Sequence, residues 1–422
     1  MQYAPPMAYL PRAIDATLEE QLGVFGGVVV EGMRGCGKTS TGLEHAHSSV
    51  RLDRSPQLIA LAELDPTALL AGESPRLIDE WQLAPSLWNV IRHEIDDRGG
   101  AGHFILSGSA TPDDDVTRHS GAARFGRIRM RTMSLFESRR APGGISLQSL
   151  RSETHLSGTS PLSYRDLAAE AVRGGWPALL SSSERQAAIF NRAYVEDLWS
   201  SEIPLATSIR HDPVRLRRLV ESVARNTASE ATLAALAQDV SGDGGMIGPA
   251  TVRNYLDALS RVFALEELPA WSITLRSRSR LRTAPKLMLT DPALACAALG
   301  IGADRLAADP EFFGQIFEAM AVRDLRTAAS AELGRVYHYR DNTGLESDAI
   351  IEYPDSRWAA VEVKLGASRI PDAERNLLRL RDERVDTSRV GMPDFLAVIT
   401  ATEYAYTLPS GVHVIPLPLL ET

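Results

Sequence analysis

The sequence predicts an α/β protein built in three parts: a parallel-sheet domain, a helical middle region and a second, smaller α/β unit. Before about Leu150, short apolar runs alternate with helical patterns, which is typical of a parallel sheet covered on both faces. A helical stretch then covers about residues 164–268, and a helix followed by strand-like runs occupies the last part. The 422 residues exceed the roughly 250–300 that one hydrophobic core serves, so several domains are expected.

The first part begins with a short buried strand, Val28 to Val30, which lies between two glycines and a glycine-rich turn. A helix over about residues 39–47 follows, and the apolar runs at residues 77–78 and 104–106 predict two more strands. Between those runs, apolar residues recur at steps of three and four and predict an amphipathic helix: Leu83, Leu87, Trp88, Ile91 and Ile95.

Two changes of pattern predict domain boundaries. The polar, Ser-rich residues 150–161 place one near residue 150, and the chain changes character again near Arg282. We therefore predict domains at 1–150, 151–285 and 286–422. Within them, apolar spacing predicts helices near residues 251–263 and 312–328, and strands near residues 336–339, 348–353 and 358–363.

Composition excludes several classes of protein. Hydrophobic residues make up 44% and charged residues 23%, which is ordinary for a globular protein and not for a disordered or collagen-like chain. No apolar run reaches the ~18–20 residues that span a bilayer, and no signal peptide is visible, so we expect no membrane contact. Two cysteines, Cys36 and Cys296, indicate the reducing cytoplasm. The net charge of −9 means that any nucleic-acid contact requires a local basic patch.

Residues 32–39 fit the phosphate-loop (Walker A) pattern G-x-x-x-x-G-K-[ST] completely. Glycines let successive backbone N–H groups point at a phosphate, and the following helix directs its positive dipole end at the anion. Lys38 is expected on the β- and γ-phosphates, and Thr39 on Mg²⁺. The pattern predicts ATP or GTP binding. The expected nucleotide contacts are Gly32, Arg34, Gly35, Cys36, Gly37, Lys38, Thr39, Ser40, Asp79 and Ser107.

The strand run Leu77-Ile78 ends in Asp79-Glu80, about forty residues beyond the phosphate loop. Asp79 is expected to hold Mg²⁺ and its water shell, and Glu80 to orient the attacking water as a base. The third strand ends at Ser107-Gly108-Ser109, where Ser107 either senses the γ-phosphate or forms a plain loop turn.

The chain resembles the prokaryotic AAA-type ATPases that carry a C-terminal module known only as a domain of unknown function. The matching motifs are residues 32–39, 77–82, 104–109, 133–137, 173–177 and 251–256. The resemblance implies ATP hydrolysis with Mg²⁺, a winged-helix-like middle and a C-terminal domain that resembles restriction endonucleases. Some members of the group are proposed as toxins of toxin–antitoxin pairs.

AAA-type ATPases commonly complete the nucleotide site with an arginine from a neighbouring copy, so the resemblance implies a homo-oligomer. Arg124 is the expected residue and Arg127 the alternative. Arg129 and Arg131 alternate with apolar residues, so we expect them on the solvent face of an edge strand.

The middle region contains a pattern typical of a helix–turn–helix, with residues 231–239 and a helix from about residue 250 around a glycine-rich turn. Arg253 and Asn254 lie near the start of the second helix, where DNA bases are read. An alternating basic run over residues 276–286 predicts a wing. The alternative is a purely structural winged helix.

The last part contains Asp348 and, about fourteen residues later, Glu362-Val363-Lys364. An Asp, a hairpin and Glu-x-Lys form the pattern of restriction-type nucleases, because strand geometry puts Glu362 and Lys364 on one face. Asp348 and Glu362 are the expected Mg²⁺ ligands, Glu318 adds a further one, and Lys364 positions the attacking water. The alternative is a charged surface hairpin.

Two functions follow from these motifs. The first is an ATPase coupled to a nucleic-acid-directed module, in the form of an ATP-controlled nuclease. The second is a non-nuclease, either an ATP-driven switch or a partner-binding protein such as a toxin–antitoxin component.

Overall fold

A computed structural model gives the fold and describes residues 9–111, 121–206, 212–241, 245–272 and 284–422. The strands are β1 (Gly27–Glu31), β2 (Ser48–Arg51), β3 (Arg76–Asp79), β4 (Phe104–Gly108), β5 (Phe125–Arg129), β6 (Ser157–Thr159), β7 (Leu265–Leu268), β8 (Lys286–Leu289), β9 (Arg335–Arg340), β10 (Glu346–Glu352), β11 (Trp358–Lys364), β12 (Leu396–Thr400), β13 (Tyr404–Thr407) and β14 (His413–Pro416).

Seventeen α-helices connect them within the described residues. They are α1 (Ile14–Leu22), α2 (Lys38–His45), α3 (Pro56–Leu64), α4 (Pro66–Leu70), α5 (Leu87–Arg98), α6 (Leu147–Ser152), α7 (Tyr164–Arg173), α8 (Glu184–Asp197), α9 (Ile203–Ala206), α10 (Pro213–Arg225), α11 (Leu233–Ser241), α12 (Pro249–Arg261), α13 (Pro292–Ala298), α14 (Ala303–Ala307), α15 (Pro310–Ser330), α16 (Ile370–Arg379) and α17 (Thr387–Val390).

The first part is an α/β unit around a five-stranded sheet with the order β2-β3-β4-β1-β5, in which every pairing is parallel. Strand β4 is buried along its whole length and β1 up to Val30, because apolar side chains on both faces pack under helices. The predicted parallel sheet is therefore confirmed. The order places β1 between β4 and the edge strand β5, and the loop that follows β1 opens at the carboxyl edge of the sheet.

The middle region is mostly helical, from α7 to α12, and ends in an antiparallel hairpin of β7 and β8. Helices α11 and α12 flank the predicted turn. The winged-helix interpretation stays a prediction, because Arg276, Arg278, Arg280 and Arg282 of the predicted wing lie outside the described residues.

The last part is built on a seven-stranded mixed sheet with the order β6-β13-β14-β12-β11-β10-β9. The long helix α15 packs against it; Asp309 caps this helix by accepting a 3.1 Å hydrogen bond from the backbone N–H of Phe312. Strand β6 comes from the Ser-rich segment, more than two hundred residues before its partner β13. The likeness of this part to restriction endonucleases stays a prediction.

The described chain crosses both predicted boundaries with backbone pairing. Strand β8 begins at residue 286 but pairs with β7, and the bridge between Ile145 and Leu420 joins the first predicted domain to the last. The boundaries at residues 150 and 285 stay predictions. Within the described ranges, no helix combines the length and the apolar character that a bilayer crossing requires.

Candidate functional site

The phosphate loop lies between β1 and α2, so the strand and helix that its motif requires are both present. Gly35 and Gly37 have φ angles of +80° and +113°, in the left-handed region where a Cβ is strained. A Cβ on Gly32 would lie 2.1 Å from the carbonyl oxygen of Met130, which leaves no space for a side chain. These three motif glycines are therefore required by the local geometry. Ser40 follows in the first turn of α2.

Lys38 is buried, and its ammonium group lies inside the curl of the phosphate loop. The Nζ atom donates to the carbonyl oxygens of Gly32 and Met33, at 2.9 and 2.8 Å. The positive charge is therefore held at the position where the motif places the β- and γ-phosphates.

Thr39, Asp79 and Ser107 meet at the carboxyl edge of β3 and β4. Thr39 Oγ1 donates to Asp79 Oδ1 at 2.9 Å, and the Ser107 hydroxyl also donates to this carboxylate oxygen. Asp79 is 1% exposed. A hydroxyl next to a carboxylate is a pair of oxygen ligands that suits Mg²⁺ coordination beside a nucleotide.

Arg51, at the end of β2, is a member of this site that the sequence analysis missed. Its Nε atom lies 3.2 Å from Asp79 Oδ2, because β2 and β3 are parallel neighbours with Arg51 opposite Asp79 in register. In the sequence Arg51 is a lone arginine without a motif. Its position beside Asp79 depends on strand pairing between residues that are 28 positions apart.

Glu80 follows β3 in a left-handed conformation, with φ of 57°. Its carboxylate accepts hydrogen bonds from the Gln82 side chain and from Ser109 Oγ, the latter at 3.0 Å. The backbone N–H of Glu80 donates to Ser107 Oγ at 3.4 Å. Ser107 thus bridges Asp79 and Glu80, and Ser109, which the sequence analysis did not select, helps to orient the Glu80 carboxylate.

Helices of the middle region contact the phosphate loop directly. Tyr194 on α8 donates from its hydroxyl to the backbone carbonyl of Arg34 at 3.0 Å, and the Arg34 side chain is ion paired with Glu202. Burial raises the pKa of Tyr194, so its hydroxyl stays a proton donor. The predicted nucleotide contact Arg34 therefore also links the loop to the middle region.

A buried arginine from the N-terminal segment supports the other side of the loop. Arg12 donates to the carbonyl oxygen of Cys36 at 2.9 Å and forms an ion pair with Glu137 at 3.0 Å. Cys36 is itself buried, and its Sγ points at a backbone carbonyl. A cleft of about 420 Å³ adjoins this side of the loop, lined in part by Tyr9, Leu43, Pro177 and Leu180.

Both predicted neighbour-acting arginines are ion paired within the chain. Arg124 pairs with Asp96 at 2.9 Å, and its backbone lies beside Gly27, at the amino edge of the sheet and remote from its own phosphate loop. Arg127 pairs with Glu31. A role for either residue on a neighbouring copy stays a prediction.

The expectation that Arg129 and Arg131 face solvent is wrong. Both converge on Glu266 of β7, with N–O distances of 3.5 and 3.0 Å, and Arg326 of α15 joins them at 2.5 Å. The side chain of Glu266 is only 9% exposed. Although burial opposes it, the attraction of these guanidinium groups holds the pKa of Glu266 below its ordinary value. We call these four residues the Glu266 cluster; it joins the three parts of the chain.

The C-terminal sheet brings Asp348, Glu362 and Lys364 together as the motif predicts. Lys364 Nζ lies 3.0 Å from Asp348 Oδ2 and 2.5 Å from Glu362 Oε2. Asp348 also accepts a 2.8 Å hydrogen bond from the backbone N–H of Val363. All three side chains are largely buried, so they do not form an exposed charged hairpin.

Glu318 on α15 reaches the same cluster together with a lysine that the sequence analysis assigned to the wing. Lys286 Nζ lies 2.6 Å from Glu318 and 3.8 Å from Asp348. Three carboxylates therefore share two ammonium groups. Burial, then repulsion from Asp348, raises the pKa of Glu318 to about 7 and that of Glu362 to about 8.

The lysines occupy several of the oxygen atoms that a metal ion would need. Glu362 Oε1 is buried and has no hydrogen-bond partner, which leaves one free ligand atom. Among the residues that the structure describes, however, no group of three or more His, Cys, Asp or Glu side chains is placed to hold a metal. The predicted metal roles of Asp348, Glu362 and Glu318 stay predictions.

Arg253 and Asn254 lie exposed on the first turns of α12. Exposure there is compatible with contact to nucleic acid and equally with a structural helix, so DNA binding stays a prediction.

Comparisons with known proteins divide the chain into three matched segments. Residues 25–138 match the AAA domain family, residues 164–305 a domain of unknown function (DUF8612), and residues 313–420 another domain of unknown function (DUF4143). Uncharacterized proteins of Mycobacterium bovis (Mb2031c) and Mycobacterium tuberculosis (Rv2008c) are each 25% identical over 400 residues, which cover 92% of this chain and 79% of theirs.

Two solved structures are similar at lower levels. The Walker-type ATPase PABY2304 of Pyrococcus abyssi is 12% identical, with a TM-score of 0.43, over 69% of this chain and 96% of that one. The Aeropyrum pernix ORC1 protein in complex with DNA is 11% identical, with a TM-score of 0.27, over 70% and 94%. Scores this low do not establish a shared fold. The AAA domain match, the parallel sheet and the complete phosphate-loop motif together support an AAA-type P-loop ATPase in the N-terminal part of the chain.

Proposed function

We propose that this protein is a Mg²⁺-dependent ATPase whose nucleotide state controls a nucleic-acid-directed C-terminal module. The observation that carries the proposal is the placement of Thr39, Asp79 and Glu80 around one end of the phosphate loop. Lys38 supplies positive charge to the phosphates, and Thr39 and Asp79 supply oxygen ligands to the metal. Glu80, oriented by Gln82 and Ser109, accepts a proton from the attacking water.

The cleft beside Tyr9, Leu43, Pro177 and Leu180 adjoins the phosphate loop and is largely apolar, which suits a nucleobase. Because Pro177 and Leu180 belong to the middle region, a base bound there contacts two parts of the chain. Copies of the chain are further proposed to assemble, with Arg124 or Arg127 acting on a neighbour's nucleotide.

Coupling between the ATPase and the rest of the chain is supported by the contacts of the phosphate loop. Tyr194 and Glu202 contact Arg34, so a bound phosphate that attracts Arg34 changes the contacts of the loop with α8 and with the helical segment at residues 198–202 that follows it. The Glu266 cluster gives a second connection, from β5 to α15.

The first form of the C-terminal activity is nucleic-acid cleavage. Its support is the Asp348, Glu362 and Lys364 constellation, which has the residue types of metal-dependent phosphodiester hydrolysis. In that form, Lys286 has to leave the cluster before metal binds, because it already neutralises Glu318.

The second form is a non-nuclease switch or partner-binding module, including a toxin–antitoxin role. One observation favours it: each carboxylate of the cluster lies within ion-pair distance of a lysine. Such a set can serve as a buried structural network without any metal.

The test combines two variants with one control. Lys38→Ala should abolish nucleotide binding, whereas Glu80→Gln should keep binding and lower turnover by about 10²–10⁴-fold, as expected for loss of a general base. Glu94→Gln, which changes only an exposed ion pair on α5, is the control. Wild-type turnover in Glu80→Gln would contradict the catalytic assignment.

Incubation of the wild type and of Lys364→Ala with labelled DNA or RNA and Mg²⁺ separates the two C-terminal forms. Cleavage by the wild type that is lost in the variant supports the nuclease. No cleavage by either protein, with ATP turnover intact, supports the switch.

A further inference from the structure

Asp79, the expected metal ligand, is already fully engaged by protein groups. One carboxylate oxygen accepts from Thr39 and Ser107, and the other lies 3.2 Å from Arg51 Nε. Asp79 is 1% exposed, so its charge is not shared with bulk solvent. Arg51 is thus the one cation within ion-pair distance of this carboxylate among the described residues, and the Asp79 charge is balanced by it.

A metal that approaches Asp79 meets this guanidinium. Mg²⁺ binding to the same carboxylate brings two cations to one anion, which is unfavourable at these distances in a partly buried site. The arginine also cannot lose its charge near neutral pH, so the conflict has to be resolved by movement of the side chain.

Asp53 offers the arginine a second partner. It lies in the turn that follows β2, and Arg51 Nη2 is 3.7 Å from Asp53 Oδ2. Asp53 is about half exposed, in contrast to Asp79, so a guanidinium displaced from the metal site can be held at the surface.

We propose that Arg51 is a positioning residue of the nucleotide site that competes with Mg²⁺ for Asp79 and moves toward Asp53 when the metal binds with nucleotide. This inference rests on the proposed ATPase function and adds to it a residue that sets the affinity for the metal. The site then exchanges one balancing cation for another, and loading requires Mg²⁺ and nucleotide together.

The experiment measures the Mg²⁺ concentration at half-saturation of binding of a fluorescent ADP analogue by the full chain. Arg51→Gln removes the competing charge, so we expect half-saturation at about tenfold lower Mg²⁺, the size of one charge-assisted hydrogen bond to a buried carboxylate. Asp53→Asn removes the alternative partner and should shift half-saturation the other way, to higher Mg²⁺. Arg54→Gln is the matched control: this exposed arginine of the same turn makes no ion pair within the described part of the chain.

A second measurement follows the thermal unfolding midpoint, Tm. Without Mg²⁺, Arg51→Gln leaves a buried carboxylate without its cation and should lower Tm, and Mg²⁺ with ADP should close the gap to wild type. If Arg51→Gln and Asp53→Asn reach half-saturation at the same Mg²⁺ concentration as Arg54→Gln, the proposed role of Arg51 is wrong. That outcome would not affect the ATPase proposal. Failure of the wild type to bind the analogue at any Mg²⁺ concentration would overturn the ATPase proposal as well. If Arg51→Gln does not fold, the direction of the Asp53→Asn shift decides.

Discussion

Replacing Glu266 with glutamine removes the carboxylate that is ion paired with Arg129, Arg131 and Arg326. The glutamine keeps the shape and one hydrogen-bond acceptor, but it leaves three guanidinium groups close together without the carboxylate with which all three are ion paired. Breaking a buried ion pair from one side costs about 3–5 kcal/mol, mostly because the remaining charges stay buried. The Glu266 side chain is only 9% exposed, so solvent relieves little of this repulsion.

The expected shift in Tm follows from the size of the chain. With 422 residues unfolding together, the entropy of unfolding is about 0.9 kcal/mol/K, so the loss amounts to about 3–6 °C. Thermal unfolding followed by calorimetry measures it. Glu267→Gln is the matched control, because its side chain is exposed and only its backbone carbonyl accepts from Arg326. Equal midpoints for Glu266→Gln and Glu267→Gln would refute the conclusion that the cluster stabilises the joined parts.

Three further predictions concern the chain's interior, its assembly and its pH dependence. Gly175→Ala should lower the Tm by several degrees, because the added Cβ would lie 2.0 Å from the carbonyl oxygen of Met133. A Tm equal to that of the wild type would show that the backbone moves to make room for the Cβ. If Arg124 acts on a neighbour's nucleotide, ATPase rate per chain should rise with protein concentration, and Arg124→Ala should lower it by ~10³-fold or more; concentration-independent turnover would leave Arg124 a surface charge. Burial raises the pKa of Glu362 from 4.5 to about 8. Between these pH values the folded state binds more protons than the unfolded state, so the free energy of unfolding falls as the pH rises from 4.5 to 8. Tm measured from pH 5 to 9 should therefore fall more steeply in the wild type than in Glu362→Gln, and parallel profiles would contradict the raised pKa.

The parallel sheet and the phosphate loop were predictable because their signals are local. Eight consecutive residues define the loop, and the strand run before Asp79 is continuous in sequence. Arg51, Arg12 and Glu202 were not predictable, because their contacts join residues 28, 125 and 168 positions apart and depend on how elements pack. No periodic pattern in the sequence indicates which residues so far apart will come into contact.

Arg129 and Arg131 show a different limit. Arg129 ends β5 and Arg131 lies just beyond it, and both contact Glu266, but their alternation with apolar residues does not tell what covers that side of the chain. Here β7 and α15 bring Glu266 and Arg326 against it. In the sequence Lys286 ends a basic run. In the structure it lies on β8, which pairs with β7, and its ammonium group contacts Glu318 of the acidic cluster beside the last sheet.

The pairing of β6 with β13 has a consequence for how this protein can move and be divided. The segment that leaves the ATPase part first contributes an edge strand to the C-terminal sheet and only then enters the middle helices. The C-terminal sheet therefore contains strands from both sides of the middle region in sequence, one before its helices and the others after them. A nucleotide-driven motion that kept β6 in place would rotate the C-terminal sheet together with residues 157–159, and the middle helices would move relative to both. Expression of residues 286–422 alone would expose the unpaired edge of β13, which carries Tyr404 and Tyr406, and an exposed strand edge of this kind favours aggregation.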